Sequence, residues 1–316
     1  MTYVLLIIGF ALLIKGADFF VEGASKIATD LRVSPLLIGL TIVAFGTSAP
    51  EATVSILAAL EGNAGVAIGN VVGSNIFNIT FVVGIAALIY PLKVERTTIR
   101  KEIPFTLLAG VALLILISDV TLQQLSDNFL TRSDGFIFLL FFAIFLYYIF
   151  EVARNNREKL DNTVQVKVPF GKNTLLTIGG LGAIIFGGDL VVGSATDLAL
   201  SFGMSETLVG LTIVAVGTSL PELITSITAA LKKESEIALG NIVGSNIFNI
   251  LFVLGISSVI SPLAVDNKIF FDILVMNVLT IILLVFSRSN FRIGKNEGGM
   301  LAAAYIAYMI FIIIRN

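Results

Sequence analysis

Hydrophobic positions dominate this chain in long runs, and polar positions gather in the short stretches between them. Ten runs are long enough to cross a bilayer, near residues 3–22, 36–60, 66–90, 104–118, 135–150, 174–196, 207–231, 237–261, 270–287 and 299–314. A helix needs roughly 20 apolar residues to span the hydrocarbon core. The pattern predicts an all-α polytopic membrane protein with ten transmembrane helices and the lipid bilayer as its partner.

Two runs break the rule in the same way. "GTSAPE" at residues 46–51 puts a glycine, two hydroxyls, a proline and a glutamate inside apolar sequence, and "GTSLPE" repeats it at 217–222. Shifting the chain on itself by 171 positions aligns Gly16–Ile79 with Gly187–Ile250 without a gap. "GNVVGSNIFNI" then faces "GNIVGSNIFNI". Five spans separate equivalent positions, and because five is odd the second copy enters the membrane upside down. Such inverted repeats build secondary transporters, with the site near the midplane where the copies meet. The expected organisation is a first five-helix repeat over 1–152, a polar linker over 153–172 and an inverted second repeat over 173–316. Helices 2, 3, 7 and 8 are expected to be broken or irregular around a midplane ion site.

Composition narrows the classes further. Hydrophobic residues make up 56% and charged residues 13% of the chain, more apolar content than a soluble core can hide. A net charge of −2 suggests no nucleic-acid partner, and no obligatory protein partner is evident. With no cysteine and no histidine, disulfides, thiolate or imidazole metal sites and histidine proton relays are excluded. No phosphate-binding loop is present, so an ATP-driven pump is not indicated, and no cofactor is expected. Of the 20 basic residues, all but Lys15, Arg132, Lys268 and Arg315 fall on one side if the N-terminus is outside. The positive-inside rule then places both termini outside and the linker in the cytoplasm, with the plasma membrane as the expected location. The first apolar run lacks a basic leader and a cleavage site, and reads as a retained span.

Ser48, Pro50 and Glu51 match a helix-capping box, but a helix starting in mid-membrane must find partners for its backbone in protein or a cavity. A buried glutamate costs at least about 2.5 kcal/mol to insert, and two are tolerated when a cation or a proton neutralises them. Gly69 and Gly73, like Gly240 and Gly244, read as a close-packing face. Ser74 and Asn78, four residues apart on one helix face, and their copies Ser245 and Asn249 are uncharged oxygen donors. With Glu51, Glu222, Thr47, Ser48, Thr218 and Ser219 they form an all-oxygen set, which hard cations such as Na⁺ and Ca²⁺ prefer. Pro50 and Pro221 free carbonyls about a turn earlier, near Ala44–Thr47 and Ala215–Thr218. Asp18 and Asp189, at equivalent positions, are expected to be structural, Lys15 and Glu22 to snorkel, and the aromatic run 136–150 to face lipid.

The paired motifs resemble the two α-repeats of the Na⁺/Ca²⁺ exchanger family, prokaryotic in type and without a large regulatory loop. The resemblance covers the ten-span layout, the odd-numbered inversion and both motif pairs. It implies exchange of about three Na⁺ for one Ca²⁺, with Glu51 and Glu222 as shared carboxylates and the Thr47 and Thr218 carbonyls completing the Ca²⁺ site. Ser48, Ser219, Ser74 and Ser245, with the Ala44 and Ala215 carbonyls, would serve flanking Na⁺ sites. Some members, notably K⁺-dependent ones, carry aspartate where this chain has Asn249. With two carboxylates only, bound Ca²⁺ is neutralised and three Na⁺ leave one positive charge, so the cycle is expected to be electrogenic. A Ca²⁺/H⁺ antiporter and a K⁺-dependent Na⁺/Ca²⁺ antiporter stand as the alternatives. A channel and an intramembrane protease fit the doubled coordinating oxygens less well.

Overall fold

The structure, a computed structural model, describes residues 2–31, 33–160, 170–202 and 215–315. Helices occupy each expected run. They are α1 (Thr2–Leu31), α2 (Pro35–Thr47 and Ala49–Leu60), α3 (Ala64–Ile89), α4 (Thr98–Glu102 continuing as Ile103–Leu116) and α5 (Arg132–Leu160). The second repeat supplies α6 (Phe170–Ser201), α7 (Ala215–Thr218 and Leu220–Leu231), α8 (Ser235–Ile260), α9 (Asn267–Arg288) and α10 (Lys295–Arg315). Among the described residues seven helices are long and apolar enough to cross a membrane, and the bent α2 makes an eighth. Helix α4 is shorter, and the expected start of α7 at 207–214 lies outside the described residues. Residues 161–169 of the expected linker do too, but residues 153–160 continue α5 and residues 170–172 begin α6 as helix.

Four two-residue strands join the repeats at the helix ends. β1 (Leu92–Lys93), between α3 and α4, pairs antiparallel with β4 (Arg292–Ile293), between α9 and α10. On the opposite face β2 (Phe129–Leu130), before α5, pairs with β3 (Leu263–Ala264), between α8 and α9. Each pair links a loop of one repeat to a loop of the other.

Helices α1 and α6 pack antiparallel along a glycine seam. A Cβ on Gly9 would lie 3.0 Å from the Gly187 carbonyl oxygen, and one on Gly16 2.9 Å from that of Gly180. Gly9 and Gly180, like Gly16 and Gly187, are equivalent under the repeat shift, so the two contacts are mirror images. Without a hydrophobic drive between helices in lipid, such close backbone approach supplies the packing.

The aromatic run of α5 corrects the expectation of a purely lipid-facing surface. Phe138, Phe142, Phe145 and Ile149 are buried, whereas Leu140, Tyr147 and Phe150 are exposed. The buried face stacks inward: Phe142 sits 5.3 Å from Phe252 and 5.7 Å from Phe45, ring centre to ring centre. Asp18 pairs with a residue of the other repeat, its carboxylate 2.7 Å from Lys232 Nζ. Glu22 pairs with Lys26 on the next turn at 2.5 Å. Lys15 and Asp189 are exposed.

Candidate ion-binding site

The two "GTS-x-PE" segments interrupt their helices at the same point. Ser48 has φ −82° and ψ 8°, Ser219 has φ −91° and ψ 7°, and each is followed by a helix with proline in its first two positions. Proline tolerates the first turn because its missing N–H would have no partner there. Helix α2 bends by 48° across the break. Neither serine side chain caps the helix it precedes, which departs from the capping-box reading. Each hydroxyl instead donates to the glutamate of the opposite repeat, Ser48 Oγ to Glu222 Oε1 and Ser219 Oγ to Glu51 Oε1, both at 2.8 Å.

Helices α3 and α8 bring up the second motif. In both, the α-helical ladder widens to a π-helix, at Asn78–Val82 in α3 and at Asn249–Leu254 in α8. Such π-bulges gather at functional sites. Asn78 Nδ2 donates to Asn246 Oδ1 at 3.3 Å and Asn249 Nδ2 to Asn75 Oδ1 at 3.2 Å. The amide nitrogens are thereby tied across the repeats. The Asn78 and Asn249 Oδ1 atoms, with Glu51 Oε2 and Glu222 Oε2, are buried and have no hydrogen-bond partner among the described residues. An unpaired buried polar atom costs about 1–3 kcal/mol, and a charged one more, so four such acceptors in the middle of the molecule are tolerable when a cation satisfies them.

The remaining candidates surround this core unevenly. Ser74 is buried, with its Oγ 3.1 Å from Ser219 Oγ. Ser245 Oγ donates to the Ala44 carbonyl at 3.4 Å, which also receives the Ser48 N–H at 3.0 Å. That carbonyl is therefore already engaged. Ala215 opens the four-residue helical turn Ala215–Thr218. The Thr47 hydroxyl donates to Asn241 Oδ1 at 3.0 Å and the Thr218 hydroxyl to Asn70 Oδ1 at 3.4 Å.

These last bonds identify residues that sequence reasoning left unassigned. Asn70 Nδ2 donates to the Glu51 carbonyl at 3.2 Å and to Ser55 Oγ at 3.0 Å; Asn241 does the same with the Glu222 carbonyl at 3.4 Å and Ser226 at 3.0 Å. Asn70, Asn75 and their copies fix the backbone and amides behind the four unpaired acceptors. The signal was present, since Ser55, Asn70 and Asn75 all recur at the repeat shift as Ser226, Asn241 and Asn246. Among the described residues no cluster of three or more acidic, histidine or cysteine side chains occurs, so the set is two carboxylates among neutral oxygens.

The glycine faces differ between the copies. A Cβ on Gly240 would lie 2.7 Å from the Leu36 carbonyl oxygen, and one on Gly244 2.6 Å from that of Leu40, whereas at Gly69 and Gly73 nothing among the described residues lies within 4 Å. Among the described residues the close-packing reading is seen in α8. Beside α3 a cavity of about 360 Å³ opens instead, lined by Asn70, Ser74 and Thr218 and, toward the helix ends, by Asp272 and Arg315.

Comparison with known proteins agrees with this architecture. The sequence profile of the sodium/calcium exchanger protein family matches residues 1–151 and 172–314. The putative antiporter CaxA of Alkalimonas amylolytica is 42% identical, the match covering 96% of each chain. Sodium/calcium exchanger MaX1 of Methanosarcina acetivorans is 34% identical, with 98% of this chain and 97% of that protein covered. A solved structure of the sodium-calcium exchanger NCX_Mj superimposes with a TM-score of 0.84 at 32% identity over 98% of both chains. With its ten helices in two inverted repeats, the chain belongs to the sodium/calcium exchanger family, integral membrane antiporters of Na⁺ and Ca²⁺ and not enzymes.

Proposed function

We propose that this chain exchanges about three Na⁺ for one Ca²⁺ by alternating access, and that Glu51 and Glu222 are shared between the two ions. One observation carries the reading: four buried acceptor oxygens, on Glu51, Glu222, Asn78 and Asn249, lack donors among the described residues. Protons would need no such shell, so this donor set favours metal cations over Ca²⁺/H⁺ exchange. Ca²⁺ takes oxygen ligands in flexible geometry, and here two carboxylates would neutralise it. The Thr47 and Thr218 carbonyls would complete its shell.

Na⁺ would take flanking positions served by Ser48, Ser74, Ser219 and Ser245, with the Ala44 and Ala215 carbonyls. For Ala44 this requires its carbonyl to release the Ser245 hydroxyl. Each serine that bonds a glutamate couples the flanking positions to the centre, so Na⁺ arrival and Ca²⁺ departure compete for the same carboxylate oxygens. Three Na⁺ against two carboxylates leave one positive charge, making turnover electrogenic. Asn249, where K⁺-dependent members carry an acid, argues for K⁺ independence. The repeats are taken as 1–152 and 173–316 about a cytoplasmic linker, with both termini outside a plasma membrane, on the basic-residue bias.

The test is flux in proteoliposomes of the full-length protein. An outward Na⁺ gradient is expected to drive ⁴⁵Ca²⁺ uptake without K⁺. Uptake that follows a pH gradient and ignores Na⁺ would overturn the reading.

A further inference from the structure

The cavity beside α3 has a charged end that the exchange cycle as described does not use. Asn70, Ser74 and Thr218 line it near the candidate site, and Asp272, Tyr308 and Arg315 line it near the ends of α9 and α10. Among the described residues that line it, Asp272 and Arg315 are the charged ones. The two form a forked pair, Arg315 Nη1 to Asp272 Oδ1 at 3.0 Å and Nη2 to Oδ2 at 2.9 Å. The guanidinium is held further by the Lys268 carbonyl at 3.3 Å and lies 5.4 Å over the Phe311 ring. Their side chains are 7% and 19% exposed.

A forked Arg–carboxylate pair is geometrically fixed, yet a buried pair of this kind adds little stability over well-packed apolar residues. Its effect on a passing ion is larger. The other described walls of the cavity are mostly aliphatic and aromatic, so the described lining brings two charges, which cancel each other. If either is removed, the other acts on any cation entering, and it acts more strongly on a divalent ion.

We propose that the Asp272–Arg315 pair holds the mouth of the cation path neutral, so that each residue alone controls the entry rate of Ca²⁺ with opposite sign. The proposal rests on the ion-binding reading of the site above. A divalent ion passing roughly 10 Å from one uncompensated charge in a water-like medium changes its entry rate about fourfold.

The experiment measures the Ca²⁺ association rate of the purified full-length protein in detergent, from loss of free Ca²⁺ to an indicator dye in a stopped flow. R315Q is expected to raise the rate about fourfold, D272N to lower it about fourfold, and D272N/R315Q to return it to within about twofold of the unaltered chain. Both single effects should shrink at about 0.5 M salt, where the Debye length falls to roughly 4 Å. A purely structural pair would move both single variants in the same direction, with lowered thermal stability. That outcome, no change in either variant, or shifts indifferent to salt would each overturn the proposal. Failure of the unaltered chain to bind Ca²⁺ at all would instead overturn the reading of the site on which it rests.

Discussion

Ser48 of the first repeat holds Glu222 of the second, hydroxyl to Oε1 at 2.8 Å. The copy of this bond, Ser219 to Glu51, has the same length, so each carboxylate is positioned by the half of the chain that does not contain it. Glu51→Gln and Glu222→Gln remove the charge and keep the shape, and each is expected to abolish Ca²⁺ exchange in the ⁴⁵Ca²⁺ flux assay. Ser48→Ala should be milder. It removes a bond to a charged group worth about 1.5–3 kcal/mol, and should raise the Na⁺ half-saturation by about tenfold or more. Near-normal flux in either glutamine variant would return those residues to a structural role.

The asparagines behind the ligands should matter nearly as much as the ligands. Asn75 accepts from the Asn249 amide nitrogen, and without that acceptor the amide is free to turn its NH₂ group toward a cation. Asn75→Ala is therefore expected to weaken apparent Ca²⁺ affinity about tenfold and to cost about 1–3 kcal/mol of stability. Flux titration and thermal unfolding of the same preparation read the two effects. Lowered stability with unchanged Ca²⁺ affinity would contradict the orienting role.

Because the chain has no cysteine, single cysteines report directly on the unequal glycine faces. Gly73→Cys is expected to react with a small water-soluble thiol reagent, since Gly73 lines the cavity beside α3. Gly244→Cys should resist the reagent and destabilise the protein by about 1–3 kcal/mol, the usual cost of overpacking, because its Cβ would press on the Leu40 carbonyl. Equal labelling at both positions would contradict the asymmetry.

Three-for-one exchange moves one net charge, worth about 2.3 kcal/mol per 100 mV. A tenfold Na⁺ gradient contributes about 1.4 kcal/mol per ion, so voltage should add more than half again to the drive of three ions. Clamping vesicles with K⁺ and valinomycin is expected to change the Na⁺-dependent Ca²⁺ flux with potential, and indifference to voltage would count against the stoichiometry.

Much of the site was legible because coordinating groups are conspicuous in apolar sequence, and a doubled motif separates them from accident. Glu51, Ser48 and Asn78 were visible for that reason, as were the ten spans. The roles of Asn70 and Asn75 were not, because an amide that orients and an amide that coordinates look alike in a string of letters. Gly69 and Gly240 sit in nearly identical sequence, so no reading of residues could show that one lines a cavity and the other lies against the backbone of α2. That difference belongs to the conformation. Along α5 both lipid and protein neighbours are apolar, so hydropathy could not separate the buried Phe138–Phe142–Phe145 face from the exposed one. The π-turns at Gly39–Val43 and Thr98–Glu102 likewise carry no local signal, since they are set by what packs against them.

The two small strand pairs at the ends of the helices have a mechanical meaning. β1–β4 fastens the loops beside α3, α4, α9 and α10 on one face, and β2–β3 fastens those beside α5, α8 and α9 on the other. A body clamped at both ends resists torsion, so the helices joined by these pairs form a chassis, and under the alternating access proposed above rearrangement falls to α1, α2, α6 and α7, whose connecting loops carry neither pair. Lys93 and Arg292 are directly paired, and facing residues of an antiparallel pair lie about 4.5–5.5 Å apart, within the span of a disulfide. Locking that pair as K93C/R292C should leave turnover intact, as welding a joint that never flexes would.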